Sequence, residues 1–223
     1  MGGPRRLNEQ RFLFIRHGET IANEQQLAYG LTESPLNAKG KAQAHATGLR
    51  LQGWSSPYDR MLTSPLGRAQ ETAAIVNQYL NLPLEIDPGL VESNLGDWEG
   101  ITYAEMLSNG YATKSIRDDH FSEHGGESPQ AVSDRVSQCL TAARHRYPNE
   151  NLIFVSHGSA IAHGMAVIMD TQPKFGYQYL MHNGAITEVS LQATPTLLHL
   201  NNYDHLAEEL TTPKDRPDNV QRV

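Results

Sequence analysis

Short apolar runs recur along this chain between longer stretches of mixed polarity. Runs of about four to eight apolar residues are typical of strands buried within a sheet. The pattern predicts strands at 12–15, 61–63, 152–155, 184–191 and 196–200, with the weakest signal at 61–63.

Helical spacing of apolar residues occurs between these strands. Asn37, Ser64 and Ser128 are predicted N-caps, and both serines are followed by proline, which suits the first helical position. The first helix is predicted to end at Gly53, and a fourth is predicted over 159–169. The apolar stripes behind the three caps are Ala38, Ala42, Ala46 and Leu49; Ala69, Ala73, Val76 and Leu80; and Val132, Val136, Leu140 and Ala143. Strands that alternate with amphipathic helices predict an α/β fold with a mostly parallel sheet.

The chain has 223 residues, which suits one domain, and we predict that domain over 11–205. The stretch 101–127 breaks the pattern: a short helix at 102–108 is followed by polar, Gly-rich sequence. We expect this stretch, called the cap segment below, to lie over one edge of the sheet. Residues 1–10 and 211–223 are predicted to be loose termini.

Composition narrows the classes of partner. A net charge of −7 disfavours a general nucleic-acid binder, which would present a basic face. No apolar run reaches the roughly 18 residues that span a bilayer, and no apolar stretch of signal-peptide length follows the basic N-terminus. We therefore expect a cytoplasmic protein with no membrane or nucleic-acid partner, whose possible dimerisation stays open. The single cysteine, Cys139, lies in an apolar helical pattern typical of a buried structural thiol.

Two of the predicted strands end in the same way. Residues 12–15 run into Arg16-His17-Gly18, and residues 152–155 run into Ser156-His157-Gly158. In open α/β sheets ligands bind beyond the carboxyl ends of the strands, and a glycine lets a ligand or another chain segment come close. We interpret the two histidines as a functional pair, although each alone could be structural.

Arg68 lies in the first turn of the helix predicted after Ser64. A cation is unfavourable there by about 0.3–1 kcal/mol unless an anion lies beside it; the alternative is an ordinary surface arginine. With Arg16, His17 and His157 it predicts a cationic cluster suited to phosphate, whose oxygens guanidinium groups bind bidentately. The sequence has no P-loop, no H-E-x-x-H motif and no evident carboxylate cage. We expect this cluster, rather than a metal or cofactor, to stabilise a transferred phosphoryl group.

These motifs resemble the histidine phosphatase superfamily, which has the phosphoglycerate-mutase-like fold, over nearly the whole chain. In chain order they are Arg16-His17-Gly18-Glu19-Thr20 with Asn23; Ser34-Pro35-Leu36 with Gly40; Ser64-Pro65-Leu66-Gly67-Arg68-Ala69 with Thr72-Ala73; Glu92-Ser93-Asn94-Leu95-Gly96-Asp97-Trp98-Glu99-Gly100; and Val155-Ser156-His157-Gly158. An R-H-G triplet alone is weak evidence, whereas five motifs in order at family-like separations are very specific. The resemblance implies a three-layer α/β/α fold and a phosphorylated small-molecule substrate whose identity the sequence does not disclose.

The resemblance also implies roles for individual residues. His17 would be the nucleophile, neutral, with its second ring nitrogen held by the backbone just after the histidine. Arg16, Arg68 and His157 would hold the phosphoryl oxygens through the transition state. The implied substrate-binding residues are Asn23, Gly30 and Gly158.

Glu92 would be the general acid that protonates the leaving oxygen and then the base that activates water. Glu19, Asp97 and Glu99 are alternatives, but the last two are better interpreted as residues that cap or support the loop. The remaining histidines are interpreted as structural or solvated, although His120 and His124 in the cap segment could reach a substrate.

The sequence leaves three functions open, and it supports them to different degrees. Phosphoglycerate mutases of this superfamily usually have Arg and Tyr where this chain has Ser93 and Leu95, and an adjacent arginine pair where the cap segment has only Lys114 and Arg117. We therefore predict a phosphatase, with mutase-type phosphoryl transfer as the alternative. A non-catalytic protein that binds phosphorylated ligands is the third possibility, which the intact set of five predicted catalytic residues argues against.

Overall fold

This computed structural model describes residues 10–54 and 57–211 of the chain. The strands in that part are β1 (Gln10–Arg16), β2 (Arg60–Thr63), β3 (Leu84–Ile86), β4 (Leu152–Ser156), β5 (Ile186–Leu191) and β6 (Thr196–Asn202). The α-helices are α1 (Ile21–Glu24), α2 (Ala38–Gln52), α3 (Gly67–Leu80), α4 (Tyr103–Ser108), α5 (Tyr111–Ser115), α6 (Pro129–Arg146) and α7 (Gly158–Ile168).

The six strands form one sheet in the order β3-β2-β4-β1-β5-β6. The pairs β3–β2, β2–β4 and β4–β1 are parallel, and the pairs β1–β5 and β5–β6 are antiparallel, so β5 alone runs against the other described strands. In the central pair, Ile15 lies opposite Val155 and Arg16 lies opposite Ser156. The residues that follow β1 and β4 therefore leave the sheet side by side at its carboxyl edge.

Helices cover both faces of the sheet, as the three-layer fold requires. Phe12, Phe14 and Phe154 pack against α6 and α7 on one face, with the Phe14 and Phe154 rings stacked at 5.3 Å. Leu13 and Val155 belong to the cluster on the other face, which α2 and α3 complete. Among the described residues, no helix combines the length and apolar character needed to cross a lipid bilayer.

Two of the three predicted N-caps are confirmed and one is wrong. Asn37 and Ser128 accept backbone N–H groups at the starts of α2 and α6. The helix predicted from Ser64 begins instead at Gly67. Ser64 Oγ accepts the N–H of Leu66, which precedes the helix, and lies 2.7 Å from His157 Nε2. The carboxylate of Glu33 accepts the Gly67 N–H in its place.

The buried face of α2 differs from the predicted stripe. Leu49 was expected in the core, yet it is 62% exposed. The helix turns small and polar residues inward: Gly40, Gln43, Ala44, Thr47, Gly48 and Leu51. Apolar periodicity cannot find such a face, because four of its six members are polar or glycine.

The ends of the predicted domain need adjustment. Gln10, within the segment expected to be loose, begins β1, and its amide donates to the carbonyls of Tyr147 and Glu150. Thr211 is described and its carbonyl accepts from Lys39, whereas residues 1–9 and 212–223 lie outside the described part. Cys139 is buried as predicted, and burial raises the pKa of its thiol.

Both edge strands of the sheet are short or irregular. β3, which the sequence did not predict, has three residues. β6 pairs with β5 through two register shifts, and Asn201 within it has a φ of 47°. Such bulges bend a strand and interrupt its ladder of hydrogen bonds.

Candidate active site

His17 follows β1 directly and is buried at the carboxyl edge of the sheet. Its Nδ1 lies 2.7 Å from the carbonyl oxygen of Gly18. A carbonyl only accepts hydrogen bonds, so Nδ1 carries the proton and Nε2 keeps its lone pair. Burial lowers the pKa of His17 well below its ordinary value, and the charges of Arg68 and Arg16 lower it further. The ring is therefore neutral, with Nε2 available as a nucleophile.

His157 follows β4 and lies beside His17, with 5.1 Å between the ring centroids. Arg68 Nε donates to its Nδ1 at 3.1 Å, and its Nε2 lies 2.7 Å from Ser64 Oγ. An arginine only donates, so the proton of this neutral ring is on Nε2. Burial, followed by the Arg68 charge, lowers the pKa of His157 well below its ordinary value. Both ring nitrogens bond to the protein here, so the predicted contact with a phosphoryl oxygen requires Nε2 to leave Ser64.

Arg68 is 1% exposed in the first turn of α3, as predicted. Besides His157, it donates to the carbonyls of Gly30 at 2.6 Å and Thr32 at 3.0 Å, and its guanidinium lies 4.6 Å from the ring centre of Tyr29. Burial lowers the pKa of Arg68 from its ordinary value. Three of its five N–H groups are used in these bonds, so two remain for a ligand.

Two buried donors near His17 have no hydrogen-bond partner in the part of the chain that the structure describes: Arg16 Nε and Asn23 Nδ2. Arg16 is fixed by a bond from Nη1 to the Met181 carbonyl at 2.5 Å. Asn23 is fixed through Oδ1, which accepts from the Tyr29 hydroxyl at 2.8 Å. Buried donors are usually satisfied, and two of them beside a buried neutral histidine suit an anion.

Glu92 lies at the N-terminus of α7. Its Oε1 accepts the N–H groups of Ser93 at 2.8 Å and Ala160 at 2.9 Å, and its Oε2 accepts that of Ser159 at 3.1 Å. A carboxylate oxygen has two lone pairs, so Oε1 is filled and Oε2 retains one. Oε2 is therefore the oxygen that can carry a proton without breaking a backbone bond.

Known proteins resemble this chain in sequence and in fold. The family model described as histidine phosphatase superfamily (branch 1) matches residues 12–203. The chain belongs to the histidine phosphatase superfamily. It is 38% identical to the uncharacterized phosphatase PhoE of Bacillus subtilis, over 66% of this chain and 71% of that protein. It is 28% identical to "Probable phosphoglycerate mutase GpmB" of Yersinia enterocolitica, over 82% and 86%. The alpha-ribazole phosphatase structure from Shigella flexneri aligns at 29% identity with a TM-score of 0.73, covering 86% of this chain and 96% of that one.

Within this histidine phosphatase fold, Gly30 allows two loops to meet. A Cβ there would lie 1.9 Å from the Ser93 carbonyl oxygen. Its N–H donates to Glu99, which also accepts the N–H groups of Leu31, Thr32 and Leu95. Burial raises the pKa of Glu99, but these hydrogen bonds outweigh it and leave the pKa below its ordinary value. Glu99 thus supports the loop, as predicted, while contact of substrate with Gly30 stays a prediction.

Several supporting residues were missed. The sequence pattern makes Ser64 an N-cap and Asn183 the entry to a late strand, and it gives Tyr29 no role. Asn183 Nδ2 donates to the carbonyl of His17 at 2.9 Å and also lies 3.3 Å from Asn23 Oδ1. Their importance depends on distant partners, which a local pattern does not disclose. Gly158, the other predicted contact, is the first residue of α7 and is buried.

The cap segment contains α4 and α5. It contacts the loop that follows α1, where the Ala28 N–H donates to the Ile101 carbonyl. His124 is 2% exposed, its ring centroid lies 4.9 Å from that of Trp98, and it accepts the Gly126 N–H. These contacts indicate a structural role for His124. His120 is exposed. Within the described ranges, no three His, Cys, Asp or Glu side chains gather as metal ligands would.

Proposed function

We propose that this chain hydrolyses phosphate monoesters of small molecules through a phosphohistidine at His17, without a divalent metal ion. The observation that carries the proposal is the free Nε2 of a neutral, buried His17 beside two buried donors, Arg16 Nε and Asn23 Nδ2, that lack partners among the described residues. These donors, with the spare N–H groups of Arg68, match the equatorial oxygens of a phosphoryl group.

In the first step, His17 Nε2 attacks phosphorus, the N–P bond forms and the ester P–O bond breaks. Glu92 Oε2 gives its proton to the leaving oxygen, because an alkoxide leaves poorly. Arg16, Asn23 and Arg68 bind the phosphoryl oxygens, while His157 holds Arg68 in place through Nδ1. The positive end of α7 adds favourable charge.

In the second step, Glu92 accepts a proton from water, the oxygen of that water attacks phosphorus and the N–P bond breaks. Inorganic phosphate leaves and the neutral His17 is restored. Because the Gly18 carbonyl keeps the proton on Nδ1 throughout, Nε2 is ready for the next substrate.

The contacts of the cations in the cap segment and in α6 favour phosphatase activity over mutase activity. A mutase must hold a substrate with a second acidic group. In the cap segment, Lys114 is paired with Glu123 and Arg117 is exposed. Arg135 is bound to Glu127 and to backbone carbonyls of the Glu92 segment. These cations are either paired with other groups or exposed to solvent, which supports hydrolysis of esters whose leaving group is not acidic.

The test is hydrolysis of 4-nitrophenyl phosphate in the presence of EDTA. The wild-type chain should turn over, and His17→Ala should not. His145→Ala, an exposed histidine in the last turn of α6, is the matched control and should keep wild-type activity. Phosphate trapped on His17 under alkaline quench would identify the intermediate.

Other outcomes identify the alternatives. Turnover that needs an added divalent ion, or that survives in His17→Ala, would overturn the proposal. Weak hydrolysis combined with rapid interconversion of phosphoglycerates, once primed by a bisphosphorylated cofactor, would establish the mutase. Binding of phosphorylated ligands with no turnover would indicate a non-catalytic protein.

A further inference from the structure

The buried face of α2 contains a glutamine that connects two distant parts of the chain. Gln43 is fully buried. Its Oε1 accepts the backbone N–H of Glu19 at 2.7 Å, and its Nε2 donates to the carbonyl of Leu210 at 2.7 Å. Leu210 ends the 3₁₀ turn Glu208–Leu210. The side chain thus joins the loop after His17 to the last turn of the described chain.

The N–H that Gln43 binds belongs to the peptide unit between Gly18 and Glu19. The carbonyl of this same unit accepts the Nδ1–H of His17. A peptide unit is planar, so fixing its N–H also fixes the direction of its carbonyl. Hydrogen bonds at both ends of one unit also polarise each other. Gln43 therefore sets the acceptor that decides which nitrogen of His17 carries the proton.

The orientation of the Gln43 amide is fixed in turn by its second partner. A backbone carbonyl only accepts, so the Leu210 end must receive Nε2 and the Glu19 end must receive Oε1. A flipped amide would place two donors together at one end and two acceptors together at the other. The Leu210 carbonyl thus selects the amide orientation in which Gln43 Oε1 accepts the Glu19 N–H.

The surrounding contacts leave the loop little room to adjust. A Cβ on Gly18 would lie 2.3 Å from the Gly40 carbonyl oxygen, and one on Gly40 would lie 2.0 Å from that of Glu19. Lys39 donates to the Thr211 carbonyl and lies 3.5 Å from a Glu19 carboxylate oxygen. The start of α2, the loop after His17 and the 208–211 segment are therefore in direct contact with one another.

We propose that Gln43 is a positioning residue for the reaction: it links the Glu208–Leu210 turn to His17 by holding the Gly18–Glu19 peptide, and so keeps His17 Nε2 free. This inference rests on the proposed function, because the state of Nε2 matters for turnover only if His17 is the nucleophile. Among the described residues, Gln43 bonds to the backbone of Glu19 and Leu210 and to none of the proposed reacting groups.

The test is the variant Gln43→Met, which keeps the side-chain length and removes the hydrogen bonds to Glu19 and Leu210. Displacement of the His17 acceptor should lower kcat by about 10- to 100-fold, the range expected for misplacing a reacting group by about 1 Å. KM should change by less than about threefold, since the phosphoryl-binding donors are untouched. In ¹⁵N spectra of histidine-labelled protein, assigned with His17→Gln, the Nε2-protonated tautomer of His17 should become populated.

Two further variants separate positioning from general damage. Thr47→Val alters a buried residue one turn further along α2, which bonds to the Gly184 carbonyl and not to the Gly18–Glu19 peptide. It should lower Tm without changing the His17 tautomer. Gln43→Glu keeps an acceptor for Glu19 and, when protonated, a donor for Leu210, so it should restore most of kcat.

The proposal is overturned if Gln43→Met keeps the wild-type tautomer and kcat, or if Thr47→Val reproduces both changes. It is also overturned if Gln43→Glu folds and is no better than Gln43→Met. A wild-type chain that hydrolyses nothing would refute the proposed function instead, while the tautomer measurement would still decide whether Gln43 positions His17.

Discussion

Replacing Glu92 by glutamine separates acid catalysis from the structural contacts of this side chain. The new Oε1 can keep the Ser93 and Ala160 N–H groups, but the new Nε2 meets the Ser159 N–H, so two donors face each other at the former 3.1 Å contact. The substitution also removes a negative charge from the N-terminus of α7.

The cost in stability follows from these two losses. An unsatisfied, part-buried N–H costs about 1–2 kcal/mol, and the lost charge at the helix terminus about 0.3–1 kcal/mol. A total of roughly 2 kcal/mol should lower Tm by about 4–8 °C in a domain of this size. The variant should therefore stay folded at assay temperature, and its kinetics can be interpreted.

The informative measurement is kcat/KM, which covers the steps up to phosphoryl transfer to His17. General acid catalysis contributes about 10²- to 10⁴-fold. We expect a loss of that size for an alkyl phosphate, and a loss below about tenfold for 4-nitrophenyl phosphate, whose leaving group needs little protonation. Because water activation is also impaired, 4-nitrophenyl phosphate should give a burst of phenolate as phosphoenzyme accumulates.

Glu99→Gln is the matched control. It is the same substitution in the same loop, at a carboxylate that accepts four backbone N–H groups and is assigned no proton transfer. It should slow both esters by the same factor. Equal slowing of the two esters by Glu92→Gln would refute its role as the acid.

Three further predictions concern the anion site, the fold and pH. Asn23→Asp keeps the acceptor Oδ1 and removes the unpartnered donor Nδ2, so vanadate inhibition should weaken by about tenfold or more; an unchanged inhibition constant would contradict this. Gly40→Ala would place a methyl group 2.0 Å from the Glu19 carbonyl oxygen and should cost about 1–3 kcal/mol, measured by urea unfolding, whereas wild-type stability would show that the loop yields. The pKa values of His17 and His157 are well below the ordinary value in the folded state, so the unfolded state binds protons at a higher pH than the folded state. The free energy of unfolding should therefore stay at its highest value above about pH 6.5 and decrease below it. Equal values from urea unfolding at about pH 7.5 and about pH 5.5 would refute that linkage.

The strand ends were predictable because their signals are local. Two apolar runs followed by histidine and glycine place His17 and His157 at the same sheet edge, and the β1–β4 register confirms it. The position of Arg68 in the first turn of α3 could be predicted from the sequence for the same reason. Its bond to His157 is a contact between residues 89 apart in the chain, which no spacing reveals.

The errors have physical causes as well. Ser64 before proline fits a helix start, but its hydroxyl oxygen accepts the N–H of Leu66, before the helix, and bonds to a histidine that comes much later in the chain. The buried face of α2 is polar because Gln43 and Thr47 bond to backbone groups of other segments. β3 was missed because Leu84 and Ile86 are half-exposed and Glu85 lies between them, which gives no buried run.

The irregular edges of the sheet limit how two copies of this chain could join. A neighbouring strand would find only the three residues of β3 at one side, and at the other a β6 whose bulges break the regular ladder. Natural sheets use short and bulged edge strands to prevent edge-to-edge pairing. Continuation of the sheet from one molecule into another is thus disfavoured, and a symmetric pair would have to associate through helices or loops.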